Sequence, residues 1–341
     1  MDYLLQYGLF LAKVATVVLS LVILVGVIIG LSNRARKQAQ GELEIEHLNE
    51  SFEEMGNAIQ LATLTPARRK LWSKEKKQAH KEKKKKTETK NRLYLLDFKG
   101  DLRASAVASL RQEITAVLSQ ATSDDEVVVR LESAGGMVHS YGLAASQLDR
   151  IRQHGIPLTV CVDKVAASGG YMMACVADKI LTAPFAMIGS IGVVAQLPNF
   201  HRLLKKHDVD VELHTAGDYK RTLTMFGENT DEDREKFIED LEEVHQIFKD
   251  FVMTHRQQVD IDKISTGKVW LGTHALSISL VDELQTSDEY LVARAAEADI
   301  YLVKFVYHKS LTEKVGLAAE NRADSLLLRW WERLRGNRFY S

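Results

Sequence analysis

Apolar and polar positions divide the chain into stretches of different character. Residues 14–31 form a run of 18 uncharged, mostly apolar residues, close to the roughly 20 that cross a bilayer as a helix. Residues 42–64 are predicted to form a polar helix with scattered apolar positions. Residues 68–92 carry 13 basic and 3 acidic side chains, and their lack of apolar periodicity indicates a solvated linker or an exposed helix.

After residue 92, short apolar runs alternate with amphipathic segments. The strand pattern occurs at residues 93–98, 126–131, 157–162 and 179–182. The helix pattern occurs between the strands, at residues 103–120, 141–154 and 167–176, and a charged helix begins near Asp231. This alternation predicts an α/β domain.

Residues 180–197 form a second charge-free stretch of 18 residues. Pro184, Gly189 and Gly192 interrupt it, and β-branched residues cluster at both ends. Two buried strands joined by a turn therefore fit this stretch better than a second membrane span.

The apolar run near the N-terminus is predicted to be a retained transmembrane anchor rather than a cleaved signal peptide. The chain starts without a basic residue, and the run ends without a small-residue cleavage pattern. Arg34, Arg36 and Lys37 follow it, and this basic flank favours the cytoplasm for the C-terminal side.

Charge and composition sharpen this division. The net charge of −1 hides an excess of 7 positive charges in residues 1–92 and of 8 negative charges in residues 93–341. A hydrophobic content of 45% excludes a disordered or collagen-like chain. We expect an anchor at 1–33, a polar helix and Lys-rich linker at 34–92, and an enzyme domain at 93–341.

Two further compositional features limit the possible partners. The Lys-rich segment lies beside a membrane anchor and contains Trp72 as its one aromatic residue. Attraction to anionic lipid is therefore favoured over nucleic-acid binding, which uses interleaved aromatic side chains. The two cysteines, Cys161 and Cys175, exclude a disulfide-rich scaffold and a Cys-based zinc cluster, and both are predicted to be small buried residues.

Three local features suggest chemistry, and each also has a plain structural interpretation. Gly135 and Gly136 follow a strand, where they form either an ordinary turn or a site whose free N–H groups receive an oxyanion. Ser168 lies between a strand and a helix, as an exposed nucleophile or as a helix cap. Lys220 is a surface residue or a general base, a role that requires a lysine pKa lowered by burial or a neighbouring cation.

In combination these features resemble the signal peptide peptidase A family, and within it the SohB-like branch of single-domain membrane proteases. The ordered motifs are S-A-G-G at 133–136, A-S-G-G-Y at 167–171 and G-x-Y-K-R-T at 217–222, and a G-x-x-W-L-G segment begins at Gly267. The resemblance covers residues 93–291, and the anchor and Lys-rich linker are similar to that branch as well.

The resemblance implies a ClpP/crotonase-like fold and a serine endopeptidase that needs no metal or cofactor. Ser168 would be the nucleophile, Lys220 the general base, and the N–H groups of Gly135, Gly136 and Gly169 the oxyanion hole. It also implies a homo-oligomer in a bacterial inner membrane, with peptide or protein substrates such as signal-peptide remnants. Relatives with this fold are usually placed on the periplasmic side, which leaves the side of the membrane open.

Several alternatives remain open from the residues. Ala134 stands where the family usually has proline, and we expect the turn and the function to survive this difference. His139 or His214 is an alternative base, Lys164 is a rival lysine, and Ser133 is an alternative nucleophile. A non-proteolytic membrane scaffold and a crotonase-like acyl-CoA enzyme are the competing functions.

Overall fold

The computed structural model describes residues 41–83, 90–217, 220 and 222–307. Residues 45–304 form the compact unit that contains the glycine turn and Ser168, and residues 41–44 and 305–307 fall outside it. The predicted anchor at residues 14–31 and the lysine run at 84–86 lie outside the described residues. Within the described ranges, no helix has both the length and the apolar character needed to cross a bilayer.

Ten strands and ten helices occur in the described part of the chain. The strands are β1 (Glu42–His47), β2 (Asn91–Lys99), β3 (Glu126–Glu132), β4 (Leu158–Val162), β5 (Val165–Ala167), β6 (Lys179–Thr182), β7 (Met187–Gly189), β8 (Val269–Leu271), β9 (Glu283–Leu284) and β10 (Ala298–Val306). The helices are α1 (Leu48–Thr63), α2 (Pro66–Lys83), α3 (Val107–Leu118), α4 (Val138–Gln153), α5 (Gly169–Ala174), α6 (His201–Lys206), α7 (Asp231–His255), α8 (Ile261–Ile264), α9 (Gly272–Ser277) and α10 (Ser287–Arg294).

The larger sheet has the strand order β1-β10-β2-β3-β4-β6-β9. The pairings from β10 through β9 are all parallel. Its central strands are buried on both faces, which explains their nearly continuous apolar sequence. Leu95, Val128 and Val160, on three adjacent strands, are all fully buried.

A smaller sheet positions the candidate site. Its order is β5-β7-β8, in which β5 pairs with β7 in parallel and β7 pairs with β8 in antiparallel orientation. A single bridge between Ser133 and Ala166 connects the end of β3 to β5. The residues that follow these two strands, the glycine turn and Ser168, are thereby brought together.

The four strands and three helices predicted between residues 93 and 182 are confirmed, with ends that differ by a few residues. The charged helix predicted from Asp231 is confirmed as α7. The prediction of a helix over residues 42–64 was wrong at its start, because residues 42–47 form β1. Their sequence, E-L-E-I-E-H, alternates with the period of two that is typical of a strand.

The charge-free stretch at residues 180–197 contributes β6 and β7, as predicted, but residues 190–197 belong to neither sheet. Val194, for example, is 91% exposed. Cys161 and Cys175 are both buried and unpaired with each other. Burial raises the pKa of the Cys161 thiol to about 12 and raises the pKa of Cys175 as well, so both are inert core residues.

Candidate active site

The turn after β3 is shaped so that its two glycines cannot be replaced without movement. Gly135 has a φ of +88°, a conformation that side chains disfavour. A Cβ on Gly136 would collide with the carbonyl oxygen of Leu102. The turn is held at its base by Ser133, whose N–H donates to the Val165 carbonyl at 2.8 Å and whose carbonyl accepts from the Ala167 N–H at 3.0 Å.

Ser168 lies between β5 and α5 in a strained conformation. Its φ of 52° and ψ of −119° are rarely adopted by a residue with a side chain and cost on the order of 1–3 kcal/mol. Two hydrogen bonds hold the backbone there: its N–H donates to the Gly189 carbonyl at 2.7 Å, and its carbonyl accepts from the Met172 N–H at 2.9 Å. Such strain, fixed by the surrounding structure, is typical of a functional residue.

Of the three N–H groups expected in the oxyanion hole, one is already engaged. The Gly135 N–H donates to Ser133 Oγ at 3.0 Å. The N–H groups of Gly136 and Gly169 have no acceptor among the described residues. Two unpaired donors therefore remain beside Ser168, and both glycines line the cavity in which Ser168 lies.

Two cavities meet at Ser168. The smaller, about 200 Å³, is almost entirely apolar. The larger, about 720 Å³, is more polar and includes Ala134 and Ser190 in its wall. Ser190 is a second strained serine, with a φ of 53°, and neither spacing nor motif in the sequence pointed to it.

Helix α7 supplies one wall of the apolar cavity. The residues are Val244, Ile247, Phe248 and Phe251, whose spacing places them on one face of the helix. The sequence predicted this helix but not its role, because its charged residues conceal a short apolar stripe. The stripe gives the cavity the shape and polarity of a pocket for an apolar side chain.

Lys220 is not brought to Ser168 within this chain. Its side chain is exposed, and it lines neither of the two cavities. Among the described residues no hydrogen bond or ion pair joins it to Ser168, and its backbone N–H donates to the Gly217 carbonyl at 3.3 Å. Its neighbours Asp218, Tyr219 and Arg221 lie outside the described residues.

The alternative residues are placed elsewhere. Lys164 Nζ lies 3.2 Å from Glu132 Oε2, and this pairing lowers the pKa of the Glu132 carboxyl. His139 is exposed and lines neither cavity, and His214 is an exposed residue beside Glu212. Ser133 is buried, and its hydroxyl is engaged by its neighbours. None of the four side chains is presented to substrate beside Ser168.

Within the described ranges, no group of His, Cys, Asp and Glu side chains is arranged to hold a metal ion. A strained serine at a strand–helix junction, beside unpaired N–H groups in an open cavity, is the arrangement of a serine-type hydrolase.

Comparisons with known proteins specify the class further. The family model described as "Peptidase family S49 N-terminal" matches residues 2–148, and that described as "Peptidase family S49" matches residues 150–300. The chain is 50% identical to a Haemophilus influenzae protein named "Probable protease SohB", over 96% of each chain. It is 47% identical to a protein of the same name from Buchnera aphidicola subsp. Acyrthosiphon pisum, over 96% of this chain and 98% of the relative.

Solved structures show a more distant likeness. A serine-to-alanine mutant of a protein described as "1510-N membrane-bound stomatin-specific protease" is 15% identical, covers 61% of this chain and 86% of its own, and gives a TM-score of 0.40. A lysine-to-alanine mutant of the same protease, in complex with a substrate peptide, is 16% identical and gives a TM-score of 0.39 over 60% of this chain and 80% of its own.

The protein is a serine-type peptidase with an α/β fold. It belongs to peptidase family S49. The resemblance to the SohB-like branch is confirmed by the relatives of that name at about 50% identity over nearly the whole chain.

Proposed function

We propose that the chain is a membrane-anchored serine endopeptidase in which Ser168 is the nucleophile and Lys220 the general base. The observation that carries the proposal is the position of Ser168, strained and beside the unpaired N–H groups of Gly136 and Gly169. Family membership favours hydrolysis over the scaffold and acyl-CoA alternatives.

The reaction follows from these groups. Ser168 Oγ attacks the carbonyl carbon of the scissile peptide bond, and Lys220 Nζ takes the hydroxyl proton. The N–H groups of Gly136 and Gly169 donate to the oxyanion of the tetrahedral intermediate. The C–N bond then breaks, Lys220 returns the proton to the leaving amine, and water hydrolyses the acyl-enzyme by the same steps.

The cavities indicate the substrate. An extended peptide lying in the larger cavity would place one side chain in the apolar pocket walled by Met172, Val193 and α7. We propose substrates with an apolar side chain at the cleaved residue, such as signal-peptide remnants or membrane-associated polypeptides. Peptides that differ only there, Leu against Asp, test this preference, and equal cleavage of the two would contradict it.

The base requires a second copy of the chain. A lysine becomes a general base after it has lost much of its solvation, whereas Lys220 is exposed in the single chain. The segment around it, residues 193–230, also exposes large apolar side chains, including Val194, Phe200 and Phe226. A homo-oligomer would cover this segment and bring Lys220 to Ser168 of a neighbouring subunit.

The proposed association with a membrane rests on two parts of the chain. Residues 14–31 are the proposed single-pass anchor in a bacterial inner membrane. The strongly basic α2 and the exposed Met55 and Ile59 of α1 suit a surface of anionic lipid. Binding of the full chain to vesicles with and without anionic lipid tests the latter, and a reporter fused after residue 92 identifies the side of the membrane.

The decisive experiment uses three variants of the full chain. Ser168→Ala abolishes covalent labelling by a fluorophosphonate, and Lys220→Ala reduces peptide cleavage by about 10²–10⁴-fold, the usual contribution of a general base. Lys164→Ala is the matched control, an exposed lysine paired with Glu132, and it retains activity. The dyad is wrong if Ser168→Ala or Lys220→Ala cleaves like the parent protein.

A further inference from the structure

Two hydroxyl-bearing side chains lie behind the glycine turn, away from solvent. Ser133 is 1% exposed and Tyr141 is fully buried. The Tyr141 ring packs edge-on against Phe98, with 6.5 Å between ring centroids. Burial raises the pKa of the Tyr141 phenol, so the phenol keeps its proton at neutral pH and acts as a donor.

The hydrogen bonds of these two groups run in one direction. The Asp101 carbonyl can only accept, so Tyr141 Oη donates its proton to it, at 2.7 Å. Ser133 Oγ, 2.6 Å from Tyr141 Oη, must then be the donor of that bond. Ser133 Oγ in turn accepts from the Gly135 N–H at 3.0 Å, so every proton in this series is assigned.

The same pair also touches the other half of the oxyanion hole. A Cβ on Gly169 would collide with the Tyr141 ring, and a Cβ on Gly170 would collide with the Ser133 carbonyl oxygen. A Cβ on Gly100 would collide with the hydroxyl groups of both residues. The backbone on three sides approaches Ser133 and Tyr141 more closely than any larger residue permits.

We propose that Ser133 and Tyr141 are positioning residues of the oxyanion hole. The series from Gly135 through the two hydroxyl groups fixes the turn and with it the direction of the Gly136 N–H, and the Tyr141 ring fixes the start of α5 and the Gly169 N–H. This inference rests on the proposed function, because it takes these two N–H groups as the donors to the oxyanion.

The expected kinetic effect is specific to the transition state. Removal of either hydroxyl frees the turn to shift slightly, while the wall that α7 gives to the apolar cavity stays in place. A small displacement of an oxyanion donor reduces kcat by about 10- to 100-fold. KM changes by no more than about twofold, since the lost interaction is made in the transition state alone.

The experiment compares Tyr141→Phe, Ser133→Ala and the double variant in the full chain. Values of kcat and KM are measured on a peptide, together with the affinity for a peptide aldehyde whose adduct with Ser168 places an oxygen in the oxyanion hole. We expect aldehyde affinity to fall in parallel with kcat. The loss of kcat in the double variant should be no larger than that of the more impaired single variant, because both hydroxyl groups act in one series.

Tyr290→Phe is the matched control. It removes a phenol hydroxyl that bonds Glu126 Oε1 at 2.5 Å, on helix α10 and outside both cavities. We expect it to retain kcat and aldehyde affinity, whatever its effect on thermal stability.

Two outcomes would overturn the inference. One is a Tyr141→Phe protein with a lower melting temperature but unchanged kcat and aldehyde affinity, and the other is a rise in KM alone. If Tyr141→Phe fails to fold, Ser133→Ala carries the same test, since it removes one small hydroxyl. Hydrolysis by Ser168→Ala would instead contradict the proposed function, so the two failures are distinguishable.

Discussion

Ser168 and Lys220 are supplied by two parts of the chain that are held in different ways. Ser168 and the glycine turn are fixed by backbone hydrogen bonds to β5 and β7 and by close packing against buried side chains. Lys220 follows a stretch, residues 208–217, in which every residue is exposed. Under the proposed function, the nucleophile and the oxyanion donors belong to the part held by packing, and the base belongs to the exposed part.

This difference has a chemical consequence. Electrostatic stabilisation requires donors that are already in place when the charge develops, and buried packing provides that. The base must lose solvent as well as be placed, which an exposed loop of a single chain does not provide. Under the proposed function, assembly with a second copy of the chain would be the step that completes the site.

The largest expected effect tests whether the base comes from a second subunit. We expect Ser168→Ala and Lys220→Ala chains to be inactive when each is expressed alone, and activity to return when both are co-expressed with different tags and co-purified. A mixed assembly contains sites that combine Ser168 of one subunit with Lys220 of the other. Peptide cleavage by the doubly tagged fraction is the measurement.

The same experiment has a contrary outcome. If the doubly tagged assembly forms but remains inactive, each subunit uses its own lysine, and no second subunit is needed to supply the base. Either variant purified alone provides the background rate.

The next largest effect concerns the part of the site that is held by packing, namely Ser168 and the glycine turn. Gly136→Ala places a Cβ against the Leu102 carbonyl oxygen, so the turn must shift and its N–H with it. We expect kcat to fall by about 10²–10³-fold, the usual cost of losing one oxyanion donor. Gly142→Ala is the control: a Cβ there meets nothing within 4 Å, and that variant should keep parental kcat. Equal rates for the two variants would remove Gly136 from the hole.

The fold was largely accessible from the sequence because its signals are local. Buried parallel strands have nearly continuous apolar sequences, and β2, β3, β4 and β6 were each found this way. The signals for the glycine turn and Ser168 are also local, since each follows directly after a strand. The prediction of a helix at residues 42–47 was wrong because their period-two alternation continues without a turn into α1.

The supporting residues were not accessible, because their contacts are distant along the chain. Tyr141 lies 40 residues from Asp101, to which its hydroxyl donates. Val244 and Phe251 of α7 line the cavity of Ser168, although both lie more than 70 residues after it in the sequence. No spacing rule relates such positions, and only the fold brings them together.

A smaller effect compares the stability of the packed region around Ser168 with that of the exposed segment before Lys220. Arg256, with a side chain 3% exposed, binds both carboxylate oxygens of Asp282 at 2.9 Å and anchors the end of α7. Asp282→Asn leaves this buried cation short of a partner and should lower the free energy of unfolding by about 3 kcal/mol.

The matched variant lies in the exposed segment. Lys205 and Asp210 form an ion pair with side chains 65% and 77% exposed, so Asp210→Asn should leave the free energy of unfolding almost unchanged. Urea denaturation measures both variants. A cost for Asp210→Asn as large as that for Asp282→Asn would mean that the exposed segment is held as firmly as the packed one.

The smallest effect is expected at Ala134, where the resemblance to the family implies proline. Ser133 pairs in parallel with Ala166, and this extended conformation is the one required before proline. The Ala134 N–H has no acceptor among the described residues, so proline would remove no hydrogen bond there. Because the Ser133–Tyr141 series already fixes the turn, Ala134→Pro should leave kcat within about twofold and add about 0.4–1 kcal/mol of stability through the unfolded state. A large gain in kcat would show that the turn is not fixed by that series. A small gain in melting temperature alone would support the view that the series already holds the glycine turn in place.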